Sequence, residues 1–157
     1  MASLSSPIRT PGPQVRDFLF MTSVLKTLKI AQWAFLASVL FYIVVGEIVG
    51  PSSHRVDTTL SYAFATVGVS IVGMIFVVRR TLVLRASETL ATHPDDLLSL
   101  NQFRTGYLAT YALCEVLALF GIILRFTGCN LQQSLPYYLS GLVLLSFFRA
   151  KAPAVTT

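Results

Sequence analysis

The stretch GYLATYALCEVLALFGIIL, Gly106–Leu124, decides the fold class, because it is an apolar run interrupted by one charged residue, Glu115. A helix needs about 20 mostly apolar residues to cross a bilayer. Three further runs of similar character flank it, at Ile30–Val49, Leu60–Val78 and Leu131–Phe148. The pattern therefore predicts an all-α, polytopic membrane protein whose four transmembrane helices form a bundle.

The composition of the whole chain agrees with a lipid environment. Of its 157 residues, 54% are hydrophobic and 12% are charged, whereas soluble domains carry about a quarter charged residues. Backbone polar groups in lipid must be paired within the protein, and a helix pairs them within one segment. None of the four runs has the strict alternation expected of a barrel strand. We therefore interpret each run as a helix.

Basic residues alternate between the two predicted sides of the membrane. Lys and Arg favour the cytoplasmic side. The connections on one predicted side are poor in bases: Gly50–Thr59 holds one and Thr127–Leu135 holds none. The segments on the other side are rich in bases: Arg9, Arg16, Lys26 and Lys29 precede span one, Arg79, Arg80, Arg85 and Arg104 follow span two, and Arg149 and Lys151 follow span four. This predicts cytoplasmic termini (N-in/C-in), and we expect the protein in a bacterial cytoplasmic (inner) membrane. Topology and anionic lipid account for the net charge of +5, so no nucleic-acid partner is expected.

The chain divides into three predicted regions. Residues 1–29 form a cytoplasmic N-terminal segment that we expect to be partly disordered, because Pro7, Pro11 and Pro13 favour an extended start. Residues 30–149 form the transmembrane domain, and residues 150–157 form a short cytoplasmic tail.

The connection between spans two and three is predicted to contain additional helix. Span two should continue as an amphipathic helix through Arg79–Thr92 and end at His93 and Pro94, because the residue before a proline disfavours helix. Asp95 can then cap the next helix, whose first residues are apolar. Spans two and three therefore form a helical hairpin with a charged cytoplasmic head.

Glu115 is the candidate functional residue. By helix rise from Arg104 it lies about 15 Å deep in an apolar core about 30 Å thick. A charge at that depth costs about 2.5–3.5 kcal/mol even on the milder insertion scale. The carboxyl must therefore be protonated, paired or facing a polar cavity. It either binds a proton or cation, or serves as a structural hydrogen-bonding group between helices.

No other residue pattern indicates chemistry. The chain has no phosphate-binding loop, nucleophile elbow, zinc-protease helix or dinucleotide fingerprint. Its two Cys and two His residues lack the spacing of metal ligands. We therefore expect no enzyme activity, no cofactor and no metal site.

The sequence around Glu115 resembles the second helix of the rotary ATP synthase c subunit. That family has an Arg at the start of the helix, an acid in mid-membrane and a later Gly, and Arg104, Glu115 and Gly121 occupy those places. Ala91–Asp95 is similar to its polar loop, and the likeness covers about residues 60–128. The resemblance implies a membrane subunit in which Glu115 binds a proton or cation and Arg104 and Gly121 support it. The family's glycine-rich packing run is absent from span two.

Three functions fit these observations. The chain is a proton- or cation-carrying subunit related to ATP synthase subunit c, a non-catalytic accessory or assembly subunit of a membrane complex, or a small transporter or channel. The expected partners are the lipid bilayer and either copies of the chain itself or other membrane subunits.

Overall fold

The protein is an all-α bundle. The computed structural model describes residues 13–50, 58–93 and 96–150, and no strand occurs in those ranges. The helical elements are α1 (Pro13–Val49), α2 (Thr58–Val78), a π-helical segment (Arg79–Leu84), α3 (Arg85–Thr92), α4 (Leu97–Phe126) and α5 (Leu131–Phe147). The all-α prediction is confirmed for these residues. Residues 1–12, residues 151–157 of the predicted tail, the loop with His54 and Arg55, and the predicted cap Asp95 lie outside the described ranges.

Three of the described helices are long and apolar enough to cross a bilayer: Met21–Val49, Ser61–Thr92 and Leu97–Phe126. They contain the first three predicted spans except Leu60, the first residue of the second. The helix α5 matches the fourth predicted span but has 17 residues, which is at the lower end of the range of about 17–25 residues that can cross a bilayer.

Three helices extend beyond the predicted spans, and one of them is α4, which begins at Leu97 and not at Gly106. The helix α1 begins at Pro13, inside the segment expected to be partly disordered. Proline is well tolerated at the first helical position, because the N–H that it lacks would have no helical partner there. The helix α2 continues through the π-helical segment and α3 to Thr92, with His93 as its C-cap. This confirms the predicted continuation, whereas the π-helical geometry has no signal in the sequence.

The helix α4 forms the centre of the bundle. In an apolar 18-residue stretch of α4, 44% of the residues are buried. The corresponding stretches of α1 and of the helix Ser61–Thr92 are 17% and 11% buried. Contacts at two heights give the helix directions. Along α1, Ser38 meets Glu115 and Glu47 meets Arg125 of α4, whereas Gln32 meets the carbonyl of Leu145 and Gly46 lies against Tyr138 of α5. The helices α1 and α4 are therefore parallel, and α5 runs antiparallel to α1. Phe64 of α2 packs on Phe120 with ring centroids 5.5 Å apart.

Glycines allow neighbouring helices to approach α4 closely. A Cβ atom on Gly121 would lie 2.7 Å from the ring of Tyr138, and one on Gly141 would lie 2.9 Å from the carbonyl oxygen of Cys114. In membranes small residues favour helix association, because dispersion contacts replace the hydrophobic effect as the driving force. The Tyr138 ring therefore fills a notch in α4 that only a glycine leaves open.

The π-helical segment also packs on a glycine of α4. A Cβ on Gly106 would meet Cγ2 of Val83 at 2.8 Å and Cβ of Leu82 at 3.0 Å. At the start of this segment, the guanidinium of Arg79 lies 4.3 Å from the ring centroid of Phe148. Cation–π contacts of this kind stabilise a desolvated base. Through these contacts the π-helical segment links α2 to both α4 and the end of α5.

A short turn joins α4 to α5. Gly128 has φ of 94°, which a residue with a Cβ rarely adopts. The N–H of Gly128 donates to the carbonyl of Arg125, and that of Cys129 donates to the carbonyl of Leu124, so two terminal carbonyls of α4 are satisfied. Asn130 and Gln133 then form a capping box at the start of α5. The turn closes one helix and starts the next within four residues.

Replacing Gly128 with Ala should destabilise this turn. An L-residue in the left-handed region costs about 1–2 kcal/mol, so we expect the free energy of unfolding to fall by that amount. The matched control is Gly73→Ala, because Gly73 is helical and nothing lies within 4 Å of an added Cβ. Unfolding in detergent micelles, followed by circular dichroism, measures both changes. Equal stability of the two variants would contradict the assignment.

The N-cap of α4 is Asp96, one residue after the predicted Asp95. The Asp96 carboxylate accepts hydrogen bonds from the Ser99 hydroxyl and from the backbone N–H of Leu98. The bond from Ser99, followed by that from the backbone, lowers the pKa of the Asp96 carboxyl below its ordinary value. A carboxylate at a helix N-terminus also interacts favourably with the helix dipole.

The Asp96 cap should make stability depend on pH in the acid range. Because the folded pKa lies below the unfolded value of about 3.9, the ionised cap stabilises the fold above that pH and loses its effect as the pH falls through the folded pKa. We expect Asp96→Asn to unfold with a weaker acid dependence than the wild type, whereas Glu88→Gln, which removes an exposed acid of α3, should keep the wild-type dependence. Thermal unfolding in micelles between about pH 2 and about pH 6 measures this; an unchanged slope in Asp96→Asn would refute it.

Candidate functional site

Glu115 lies at the seam between α4 and α1, and its side chain is half-buried. The Ser38 hydroxyl donates to its Oε1 atom at 2.6 Å, and the Tyr42 hydroxyl donates to the same atom at 2.8 Å. The carboxyl group of the central helix is therefore paired with two hydroxyl groups of α1. Because an unpaired charge inside a membrane is costly, a carboxyl group there must be protonated, paired or facing a polar cavity, and Glu115 is paired.

The local sequence explains why these two donors reach one oxygen. Ser38 and Tyr42 are four residues apart, so they lie one above the other on the same face of α1. Between them Val39 is fully buried, and Cys114 beside the acid is also fully buried. This packing holds the hydroxyl-bearing face of α1 against the face of α4 that carries Glu115.

The arrangement can accommodate the carboxyl group in either protonation state. The ionised form accepts two charge-assisted hydrogen bonds, which are stronger than neutral ones. In the protonated form the new O–H needs an acceptor, and a hydroxyl group offers lone pairs once its hydrogen has rotated. Proton uptake at Oε2 leaves both hydrogen bonds to Oε1 in place, whereas uptake at Oε1 requires rotation of the hydroxyl hydrogens.

The two predicted supporting residues lie away from Glu115. Arg104 is exposed at the start of α4, eleven residues and so about 16 Å along the axis from the acid. Gly121 is buried against Tyr138 of α5. The structure gives Gly121 a packing role in the α4–α5 contact and does not bring either residue to the carboxyl group.

Two further polar contacts join α1 to the rest of the bundle. The buried Gln32 amide donates to the carbonyl of Leu145 at 2.7 Å, and the Arg125 guanidinium meets Glu47 at 3.2 Å. Arg125 also donates to the carbonyl of Cys129 in the α4–α5 turn. Glu47 is thus paired with Arg125. The side chains of α1 therefore make polar contacts with other helices at three heights: at Gln32, at Ser38 with Tyr42, and at Glu47. These three sets of contacts are called the polar rungs of α1.

Ser38 and Tyr42 were not identified from the sequence. Their signal is a pair of hydroxyl residues with helical spacing in the middle of the predicted span Ile30–Val49, at a depth similar to that of Glu115 in its own span. Spacing alone does not tell which helix a polar face contacts. The missing information was that spans one and three are neighbours and parallel.

Comparisons of the chain with protein-family models, with curated proteins and with solved structures found no match. Within residues 13–50, 58–93 and 96–150, no group of three or more His, Cys, Asp or Glu residues could hold a metal ion.

Removing either hydroxyl at Glu115 should loosen the contact between α1 and α4. Hydrogen bonds between transmembrane helices contribute about 0.6–1.7 kcal/mol, so we expect Ser38→Ala and Tyr42→Phe each to lower the free energy of unfolding by about that much. Ser70→Ala is the matched control, because the Ser70 hydroxyl bonds to the carbonyl of Thr66 in its own helix at 2.9 Å. Unfolding of micelle-bound protein by sodium dodecyl sulfate gives the three values.

The same experiment can isolate the contact itself. In a Glu115→Leu background the Tyr42→Phe change should have a smaller effect than in the wild type, since its acceptor is gone. If Tyr42→Phe has the same effect in both backgrounds, the hydroxyl does not act through Glu115.

Proposed function

We propose that the protein is a small integral membrane protein with four transmembrane helices, in which Glu115 takes up and releases a proton. The single observation that carries this proposal is the pairing of the Glu115 carboxyl with two rotatable hydroxyl donors, Ser38 and Tyr42, inside an apolar helix seam. Intramembrane acids are rare, and they commonly mark proton or ion pathways.

The proposed topology places both termini in the cytoplasm. Because α1 and α4 are parallel, Lys29 and Arg104, which lie in the N-terminal halves of these helices, are on one side of the bundle, and α5 leads to Arg149 on that side as well. The opposite end has Arg125, which is paired with Glu47. A membrane with the basic end inside, such as a bacterial cytoplasmic membrane, agrees with the preference of Lys and Arg for the cytoplasmic side. In this topology α5 is the fourth span.

The proposal favours a proton over a metal cation as the species that Glu115 binds. One carboxyl and two hydroxyl groups offer four side-chain oxygens, and both hydroxyl hydrogens are directed at the carboxylate. Calcium and magnesium take six or more oxygen ligands. A proton needs only the carboxyl oxygen and one neighbouring acceptor.

A relationship to the ATP synthase c subunit is part of this proposal. The support comes from the sequence likeness from Arg104 through Gly121, together with the hairpin in which α2 and α4 pack side by side and Glu115 sits within the second arm. The added helix α1 supplies both hydroxyl groups that bond to the acid.

The test is modification of Glu115 by dicyclohexylcarbodiimide, which reacts with protonated carboxyl groups in apolar surroundings. We expect selective labelling of Glu115, located by peptide mass spectrometry, and a labelling rate that falls as the pH rises. Glu47, which is paired with Arg125 near the other helix ends, serves as the internal control and should stay unlabelled.

Glu115→Gln separates proton binding from a purely structural role. The amide oxygen of Gln can accept the same two hydrogen bonds, but it cannot take up a proton. We expect this variant to fold with nearly wild-type stability and to lose the pH-dependent infrared band of a protonated carboxyl group. A wild-type protein with neither labelling nor such a band, at any pH where it stays folded, would refute the proposal.

A second function is favoured by the polar rungs of α1. Both donors to Glu115, the amide contact at Leu145 and the ion pair at Arg125 all lie within one chain. Such internal pairing suits a non-catalytic accessory or assembly subunit, in which Glu115 only fastens α1 to α4. Absence of labelling, together with destabilisation by Glu115→Leu, would favour this function.

A further inference from the structure

A polar cavity that Glu115 does not line lies between α1 and the end of α5. Its volume is about 360 Å³, and its lining residues are Lys29, Gln32, Trp33, Leu36, Arg149 and Ala150. Two of these residues are bases and none is acidic, so this lining is positively charged. Its position at the basic end of the bundle places it where the apolar core of a membrane would meet the headgroups.

The cavity changes from charged to apolar along α1. Lys29 and Arg149 are exposed, so their side chains are accessible to a ligand. Leu36 lies seven residues beyond Lys29, about 10 Å along the helix axis. Trp33 lies between these two levels and is 73% exposed. A ligand that follows this wall needs a negatively charged head and an apolar chain.

The hydrogen bond of Gln32 makes the end of the cavity that carries Lys29 and Arg149 more suitable for an anion. The C-terminus of a helix carries a partial negative charge of about half an elementary charge, from carbonyls that lack helical partners. One of these carbonyls, that of Leu145, already accepts a bond from Gln32 at 2.7 Å. Two full positive charges therefore outweigh the remaining negative end of α5.

A neighbouring base has a different role. The guanidinium of Arg79 lies on the rings of Phe148 and Tyr107, with distances to the centroids of 4.3 Å and 5.9 Å. Its planar face is engaged by aromatic rings, and it does not line the cavity. Among the described residues, Lys29 and Arg149 are thus the bases that line the cavity.

We propose that this cavity binds the phosphate of an anionic phospholipid between Lys29 and Arg149, with an acyl chain along Trp33 and Leu36. Basic pockets between helices on the cytoplasmic side of a membrane are suited to such headgroups. The proposal requires the helices to be inserted in a bilayer. It does not require Glu115 to bind a proton, so either proposal can fail while the other stands.

The only tryptophan of the chain reports on this cavity. The protein is reconstituted in bilayers of equal parts phosphatidylglycerol and phosphatidylcholine, in which one lipid or the other carries brominated acyl chains. Bromine quenches tryptophan fluorescence at short range, and the two samples have the same surface charge. The ratio of their quenching therefore measures local enrichment of the anionic lipid around Trp33.

We expect brominated phosphatidylglycerol to quench more strongly, with a local preference of roughly fivefold for each base. The double variant Lys29→Gln/Arg149→Gln should lose the preference, with a ratio of about one, and each single variant should give an intermediate value. The matched control is Lys26→Gln/Arg80→Gln, which removes two exposed bases that do not line the cavity and should keep the preference. Circular dichroism checks that each variant is folded.

Three outcomes would overturn the proposal. Equal quenching by both lipids in the wild type would mean that the cavity holds no preferred anionic lipid. If the control variant loses the preference for the anionic lipid as fully as Lys29→Gln/Arg149→Gln does, the preference is due to general surface charge. Loss of the preference on addition of inorganic phosphate, compared with sodium chloride of the same ionic strength, would assign the cavity to free phosphate and not to a lipid.

Discussion

The bundle depends on the need to satisfy one carboxyl group in an apolar environment. Glu115 belongs to the most buried helix, α4, and an unpaired charge there would be strongly unfavourable. Ser38 and Tyr42 meet this need from α1, so the acid determines which face of α1 packs inward and at what height. The same pairing supplies the only groups seen to bond to the carboxyl in the described parts of the chain. The structural role of Glu115 and the proton binding proposed for it thus share one set of atoms.

Close packing around α4 complements this polar contact. Gly106 receives the π-helical segment, and Gly121 and Gly141 allow α4 and α5 to approach each other. Dispersion contacts of this kind act over the whole length of the helices. The close approaches at the glycines and the hydrogen bonds at Glu115 and Gln32 all have specific partners, so together they select one register of the helices.

The helices were largely predictable because each long apolar run carries its own signal. The central part of α4 could be located from Gly106–Leu124 alone, and the end of the helix beyond α2 followed from the proline after His93. The start of α1 was not predicted, since a proline is compatible both with an extended segment and with the first turn of a helix. The cap at Asp96 was misplaced by one residue, because Asp95 and Asp96 are chemically equivalent in sequence.

The partners of Glu115 could not be derived in the same way. Its depth and its need for partners follow from one segment, but Ser38 and Tyr42 are more than 70 residues away in sequence. Gly121 illustrates the opposite error. The likeness to a known helix placed it in a supporting role beside the acid, whereas helical geometry directs it to Tyr138. A linear motif does not record which face of the helix each residue occupies.

The polar rungs of α1 restrict how the bundle can move. Gln32, the Ser38–Tyr42 pair and Glu47 each bond to a partner at a different height. A one-turn displacement of α1 along its axis, about 5.4 Å, would separate Gln32 and Glu47 from their partners and would move one of the two hydroxyl groups into the place of the other beside Glu115. A piston-like stroke of α1 therefore breaks at least two polar contacts. Small rotations of the side chains at Glu115 leave those two contacts intact.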